Sequence, residues 1–149
     1  MRNLLVPECI VLDVPASYSG QALEEVGKLL NARHGLRSSA VVARLVRREK
    51  RGSTALGYGV AIPHADVPGL GRPLAAFVRM RDPVPFDAPD RQPVRDLLVL
   101  VVPRPAMSVH FDMLTHYRAL LSNREFREQL AACEDETSVW RLFERHEWR

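Results

Sequence analysis

A histidine that follows a proline at the end of a short apolar run is the first place where this sequence can do chemistry. The run is Gly57-Tyr58-Gly59-Val60-Ala61-Ile62-Pro63-His64. Its two glycines permit unusual backbone angles, and Pro63 fixes its own φ, removes one N–H and biases Ile62 towards an extended conformation. Stiff backbone therefore delivers His64. A neutral imidazole nitrogen is a nucleophile near neutral pH, and phosphoryl transfer to it requires mainly positioning and compensating positive charge. Arginine offers that charge in a planar fork that holds two phosphoryl oxygens at once. Val41, Leu45 and Arg48 fall at i, i+4 and i+7 of a predicted helix, which sets Arg48 on its apolar, inward side.

Other polar residues carry less. Asp66 either orients the His64 imidazole or solvates its loop, and the sequence leaves both readings open. Ser53 and Thr54 read equally as turn residues and as hydroxyl contacts to phosphate. His34 and His116 look incidental, because helical spacing takes His116 off the stripe headed by His110. A zinc site built from His64, His110 and His116 lacks a close-spaced ligand pair. The basic cluster Arg44, Arg47, Lys50 and Arg51 is most simply a solvated helix face, and it also suits an acidic partner protein. Gly57-x-Gly59 lacks the third glycine and following helix of a dinucleotide fingerprint.

The elements that position these residues follow from pattern. Ser19 is placed to cap a helix with Leu23, Val26 and Leu30 on its apolar face and Gly35 at its end. Ser38 is placed to cap the next, which runs to about Lys50. A strand over 59–62 ends at Pro63-His64, and glycines and prolines predict an irregular loop over 65–73. Residues 74–80 and 97–102 read as strands, the latter an unbroken apolar run suited to a sheet covered on both faces. Ser108 is placed to cap a helix whose stripe is His110, Leu114, Tyr117 and Leu121, and further helical patterns span 124–132 and 138–144. Interleaved helices and strands without strict alternation predict an α/β domain with a mixed sheet.

Composition sets the bounds. A chain of 149 residues with 46% hydrophobic content buries one core, so one domain is expected over 1–149. A net charge of +3, with cations scattered among acids, does not imply nucleic acid. Cys9 and Cys133 form neither a metal-binding pair nor a disulfide framework, as expected of reduced thiols in a cytoplasmic protein. The apolar flavour of residues 1–15 is broken by Pro7, Glu8, Asp13 and Pro15, and no stretch is long enough to span a bilayer, so neither export nor direct membrane insertion is expected.

Taken in order, several segments resemble the fructose/mannitol-type enzyme IIA domain of the bacterial phosphotransferase system, with a likeness to its nitrogen-regulatory branch. They are Arg48-Glu49-Lys50, Gly52-Ser53-Thr54, the run from Gly57 to His64, and Pro85-Phe86-Asp87-Ala88-Pro89-Asp90-Arg91-Gln92-Pro93-Val94. The apolar run ending at Val102-Pro103 and His110-Phe111-Asp112-Met113-Leu114 complete the match over nearly the whole chain. The resemblance implies a single α/β domain, a central mixed sheet flanked by helices on both faces, with the active histidine at the edge of a shallow depression. It implies that His64 accepts a phosphoryl group through Nε2, that Arg48 stabilises the oxyanions and that His110 donates a hydrogen bond to the group. No cofactor or metal is implied. The implied donor is an HPr-like phosphocarrier, and the implied role is regulatory, towards targets such as potassium transporters or sensor kinases. Two alternatives stand beside it: a sugar-specific IIA that passes phosphate to a IIB domain, and a non-catalytic binding module. Val109 and Phe111 depart from the glutamate and leucine common around the family's second histidine, which bears on partner recognition more than on chemistry.

Overall fold

The computed structural model describes residues 4–148, so the first three residues of the amino-terminal stretch and Arg149 lie outside the described residues. After a 3-10 turn at Pro7–Cys9 come β1 (Ile10–Val14), α1 (Ser19–His34), α2 (Ser38–Lys50), β2 (Ala55–Gly57), β3 (Val60–Ala61) and β4 (His64–Val67). Then follow β5 (Leu74–Val84), β6 (Val94–Pro103), α3 (Ser108–Ser122), α4 (Arg124–Ala132) and α5 (Glu136–Glu144). The sheet runs β1-β5-β6-β3-β2, with β4 also paired to β6. It is mixed: β1 lies parallel to β5, β5 antiparallel to β6, and β3 and β4 parallel to β6.

Strand alternation sorts the core onto two faces. Ala76, Val78, Leu97, Val99 and Val101 pack with Leu23, Val26, Leu30, Val41 and Leu45, so α1 and α2 cover one face. Phe77, Leu98 and Leu100 pack with Met113, Tyr117, Leu121, Phe126, Leu130 and Phe143, so α3, α4 and α5 cover the other. This is the expected mixed sheet with helices on both faces, and it explains why β6 reads as a continuous apolar run. Across the second layer, the buried Arg79 of β5 grips Asp96 of β6 with Nε at 2.8 Å and Nη2 at 3.1 Å. The same guanidinium donates to the carbonyls of Leu130 and Cys133 at the end of α4, the former shared with the Cys133 N–H.

Several local expectations change. Ser19, Ser38 and Ser108 are the first helical residues, not caps, and the N-cap positions preceding them are Tyr18, Arg37 and Met107. The loop expected over 65–73 begins instead as β4, because Ala65 and Val67 bury inward while the backbone pairs along β6 from Leu100 to Pro103. Pro63 interrupts one extended segment; it does not end it. β5 runs beyond Met80 to Val84, since a register irregularity between Arg79 and Val84 accommodates Pro83.

Candidate functional site

Among the described residues no further strand pairs beyond β4, and residues of α2 and α3 flank that edge. Between them lies a depression of about 230 Å³. Its floor is apolar, from Leu100, Val102 and Met113, while Arg48, His64 and His110 face it together. The three residues singled out for phosphoryl chemistry, distant in sequence, thus converge on one surface.

The backbone that delivers His64 is built by the β2–β3 hairpin. Tyr58 and Gly59 form its two-residue turn with φ of 57° and 78°, a pairing of left-handed residues that matches the twist of a tight hairpin. The Asp90 carboxylate accepts from the Tyr58 N–H at 2.8 Å and the Gln92 N–H at 3.1 Å, tying the hairpin to the segment before β6. Past Pro63 the chain rejoins β6, and the Leu100 N–H donates to the Pro63 carbonyl. His64 is therefore anchored on both sides.

The His64 ring is half-buried, with Nδ1 2.9 Å from the Ile62 carbonyl oxygen. A carbonyl only accepts, so Nδ1 carries the proton and Nε2 of the neutral ring keeps its lone pair. Burial lowers the imidazole's pKa below its ordinary value, and the positive charges of Arg48, Arg118 and Arg51 lower it further, against the Ile62 hydrogen bond that raises it. The nucleophilic, uncharged form is thereby favoured at neutral pH.

His110 has the opposite arrangement. Its Nδ1 accepts the Met107 N–H at 2.9 Å, closing the first turn of α3. In the neutral ring Nε2 then bears the hydrogen and can donate. Arg48, in the last turn of α2, donates through Nη1 to the Gly52 carbonyl at 2.9 Å, which fixes the guanidinium beside the depression.

The remaining candidates have other partners. Asp66 lines the depression but is held by Arg44, whose Nη2 reaches its carboxylate and whose Nε reaches its backbone carbonyl. That contact holds the Asp66 carboxyl below the usual carboxylate range. The imidazole is oriented by Ile62, not by Asp66. Ser53 and Thr54 do not line the depression: the Ser53 hydroxyl donates to the Phe86 carbonyl, and the Thr54 hydroxyl donates to the Glu49 carboxylate. His116 Nε2 bonds the His146 carbonyl at 2.6 Å, and His34 lies at the end of α1. Among the described residues, no cluster of three or more His, Cys, Asp or Glu side chains suits a metal. Both cysteines are free thiols, and burial pushes Cys9 up to about 11. No described helix is long and apolar enough to cross a membrane.

The sequence reading missed Arg118, whose charge acts on His64. It follows His110 and Leu114 at i+8 on the same helical face, so spacing held the signal.

Comparison with known proteins shows the family and the fold. Residues 3–146 match the family described as phosphoenolpyruvate-dependent sugar phosphotransferase system, EIIA 2. A nitrogen regulatory protein of Bradyrhizobium diazoefficiens is 33% identical over 140 residues, covering 94% of this chain and 92% of that protein. One from Pseudomonas aeruginosa is 32% identical over 144 residues, covering 95% and 93%. The crystal structure of nitrogen regulatory protein IIA-Ntr from Neisseria meningitidis superposes with a TM-score of 0.87 at 37% identity, covering 93% of this chain and 95% of that one. The mannitol IIA of Escherichia coli shares the fold, with a TM-score of 0.73, 22% identity and coverage of 93% and 97%.

Proposed function

The chain belongs to the EIIA 2 family of the phosphoenolpyruvate-dependent sugar phosphotransferase system, and on that premise we propose that it is a nitrogen-type regulatory IIA that accepts a phosphoryl group on His64 from an HPr-like phosphocarrier. The observation that carries this reading is the pairing of a bare Nε2 on His64 with an Nε2–H on His110 across one depression that also holds Arg48.

The step balances without an outside acid or base. The Nε2 lone pair of His64 attacks phosphorus in line with the donor's P–N bond, and the electron pair of that bond stays on the donor nitrogen. A donor ring protonated on its other nitrogen departs as neutral imidazole. His64 finishes with phosphorus on Nε2 and its original proton on Nδ1. The Ile62 carbonyl faces the positive charge that this ring acquires. Arg48 and the His110 Nε2–H are positioned for the phosphoryl oxygens, where charge-assisted hydrogen bonds are worth roughly 1.5–3 kcal/mol each. The phosphorylated and unphosphorylated surfaces then differ by the charge that regulatory targets, such as potassium transporters or sensor kinases, would sense.

A second reading has a specific basis: the fructose-specific EIIABC component of Bacillus subtilis is 28% identical over 148 residues, and the chain spans 23% of that protein. Passage of the group to a IIB domain shares every atom of the first step and differs only in destination. The test incubates the protein with phosphoenolpyruvate, enzyme I and an HPr-like carrier, then measures intact mass and acid lability. One acid-labile phosphoryl group, absent from His64→Ala, is expected. Equal labelling of that variant would sink the assignment, and onward transfer to a IIB domain would favour the sugar role.

A further inference from the structure

Arg44 and Asp66 line the depression beside Arg48 and His64, yet neither enters the transfer step. Strand alternation puts Asp66 on the face of β4 that carries His64, two residues or roughly 7 Å further along. Helical spacing puts Arg44 on the face of α2 that carries Arg48, one turn earlier. The two elements meet through this second pair: Arg44 Nη2 lies 2.5 Å from the Asp66 carboxylate, and its Nε lies 2.5 Å from the Asp66 carbonyl oxygen. Among the described residues nothing accepts from Arg44 Nη1, so the guanidinium has a donor to spare. Asp66 is also the only acid among the described residues that line the depression.

A phosphoryl group on His64 changes the balance around that acid. It brings roughly −1.5 to −2 charge at neutral pH, as on other phosphorylated side chains, and its oxygens share the depression with the Asp66 carboxylate. Two anions then draw on the same cations. Resting on the phosphoryl-acceptor reading of His64, we propose that Arg44 is a second arginine for the phosphoryl group and that Asp66 competes for it, so that this carboxylate limits how strongly the protein holds what it accepts. Asp66 acts twice, by occupying Arg44 and by repelling the phosphoryl charge. A group held by Arg48, His110 and an uncontested Arg44 would be harder to pass on; the Asp66 carboxylate keeps the phosphohistidine exchangeable. A pair that merely ties α2 to β4 behaves differently, because loss of either partner breaks the same tie and acts in the same direction.

The experiment mixes a phosphorylated HPr-like carrier with the protein, without enzyme I or phosphoenolpyruvate, and reads by intact mass how the phosphoryl group is shared once exchange reaches equilibrium. That ratio depends on the separated proteins and not on how they dock. Wild type, Asp66→Asn, Arg44→Gln and the double variant are compared, with urea denaturation to establish that each is folded. Asp66→Asn should shift the exchange constant towards the phosphorylated protein by at least about threefold, Arg44→Gln should shift it the other way by a similar factor, and the double variant should fall between them. Asp66→Asn is isosteric and keeps the carbonyl that Arg44 Nε bonds, so its sign decides even if Arg44→Gln fails to fold. No shift in Asp66→Asn, or a shift away from the phosphorylated protein, overturns the proposal and leaves the pair as a tie between α2 and β4, with the acceptor reading intact. If neither the carrier nor phosphoramidate, a small P–N phosphoryl donor, labels wild type, the acceptor reading and the proposal fall together.

Discussion

His64 and His110 meet the depression with complementary nitrogens: Nδ1 of His64 bonds the Ile62 carbonyl, and Nδ1 of His110 accepts from the Met107 N–H. A backbone acceptor in one case and a backbone donor in the other force opposite tautomers on two neutral imidazoles. The outcome is a lone pair on one Nε2 and a hydrogen on the other. Neither setting needs another titratable side chain, so the two roles are written into local backbone geometry.

The His64 imidazole is expected to titrate below its ordinary value of 6.5, with Nδ1–H the neutral tautomer. Burial and the neighbouring arginines disfavour the charged ring, so between 6.5 and the folded value the unfolded chain binds more protons than the native one. His64's contribution to stability is therefore complete above 6.5 and is lost as pH falls through the folded value. The rate of phosphoryl acceptance should lose its nucleophile over the same acidic window. Long-range proton–nitrogen NMR across a pH series reads both tautomer and midpoint; a midpoint at or above 6.5 would contradict the field described here.

His110→Ala removes two things at once. Loss of a donor to the transferring oxygens should slow transfer by about 10²-fold, and loss of the contact that closes α3 should cost around 1 kcal/mol of stability. His110→Gln separates them, because a glutamine at the third helical position can still accept the Met107 N–H. Urea denaturation should return His110→Gln close to wild type while single-turnover transfer remains impaired. Equal impairment of stability in both variants would show that the imidazole acts only as part of the helix start.

Arg48→Lys keeps one positive charge and loses the fork. The Gly52 contact and two-oxygen grip cannot both be made by a single ammonium point. Transfer should fall by roughly 10-fold or more, the equivalent of one charge-assisted hydrogen bond. Preserved rates in rapid-quench measurements would mean that Arg48 supplies only long-range potential.

Much of this was legible in the sequence because the informative residues sit on periodic elements. Val41 and Leu45 announced the face that carries Arg48, and β6 announced a sheet covered on both sides. What stayed hidden depends on contacts between segments far apart. Asp66 gave no sign that Arg44, just under one turn along α2 from Val41, would claim it. The alternation of Ala65 and Val67 was masked by the Pro and Gly residues that follow. Serines at 19, 38 and 108 carried a capping signal, yet each sits one residue inside its helix, with its N–H among those the first turn leaves free.

Thr54 tests a different boundary between structure and chemistry. Its side chain is only 5% exposed, and its hydroxyl and N–H both meet the Glu49 carboxylate, tying the turn after α2 to that helix. Thr54→Val leaves a partly buried carboxylate short of one donor and should cost about 1–3 kcal/mol. Transfer by the folded variant should be close to wild type. A selective loss of rate with stability intact would restore Thr54 as a phosphate contact.

Arg79 and Asp96 carry the largest expected effect on stability and none of the chemistry. The pair is buried, at 4% and 7% exposure, and the guanidinium donates to Asp96, Leu130 and Cys133 together. Removing one partner strands the other charge in the layer between sheet and helices, a loss of about 3–5 kcal/mol for such pairs. Arg79→Met suffers twice, since the carbonyls at the end of α4 also lose their donor. Asp96→Leu combined with Arg79→Met should recover part of the loss, because no lone charge remains buried, but the Arg79 bonds to the Leu130 and Cys133 carbonyls stay lost and prevent full recovery. Chemical denaturation of the two single variants and the double variant closes the cycle. Additive losses would show that the two residues act independently; a double variant more stable than either single variant is the expected outcome, and it identifies the pair as a lock between β5, β6 and α4.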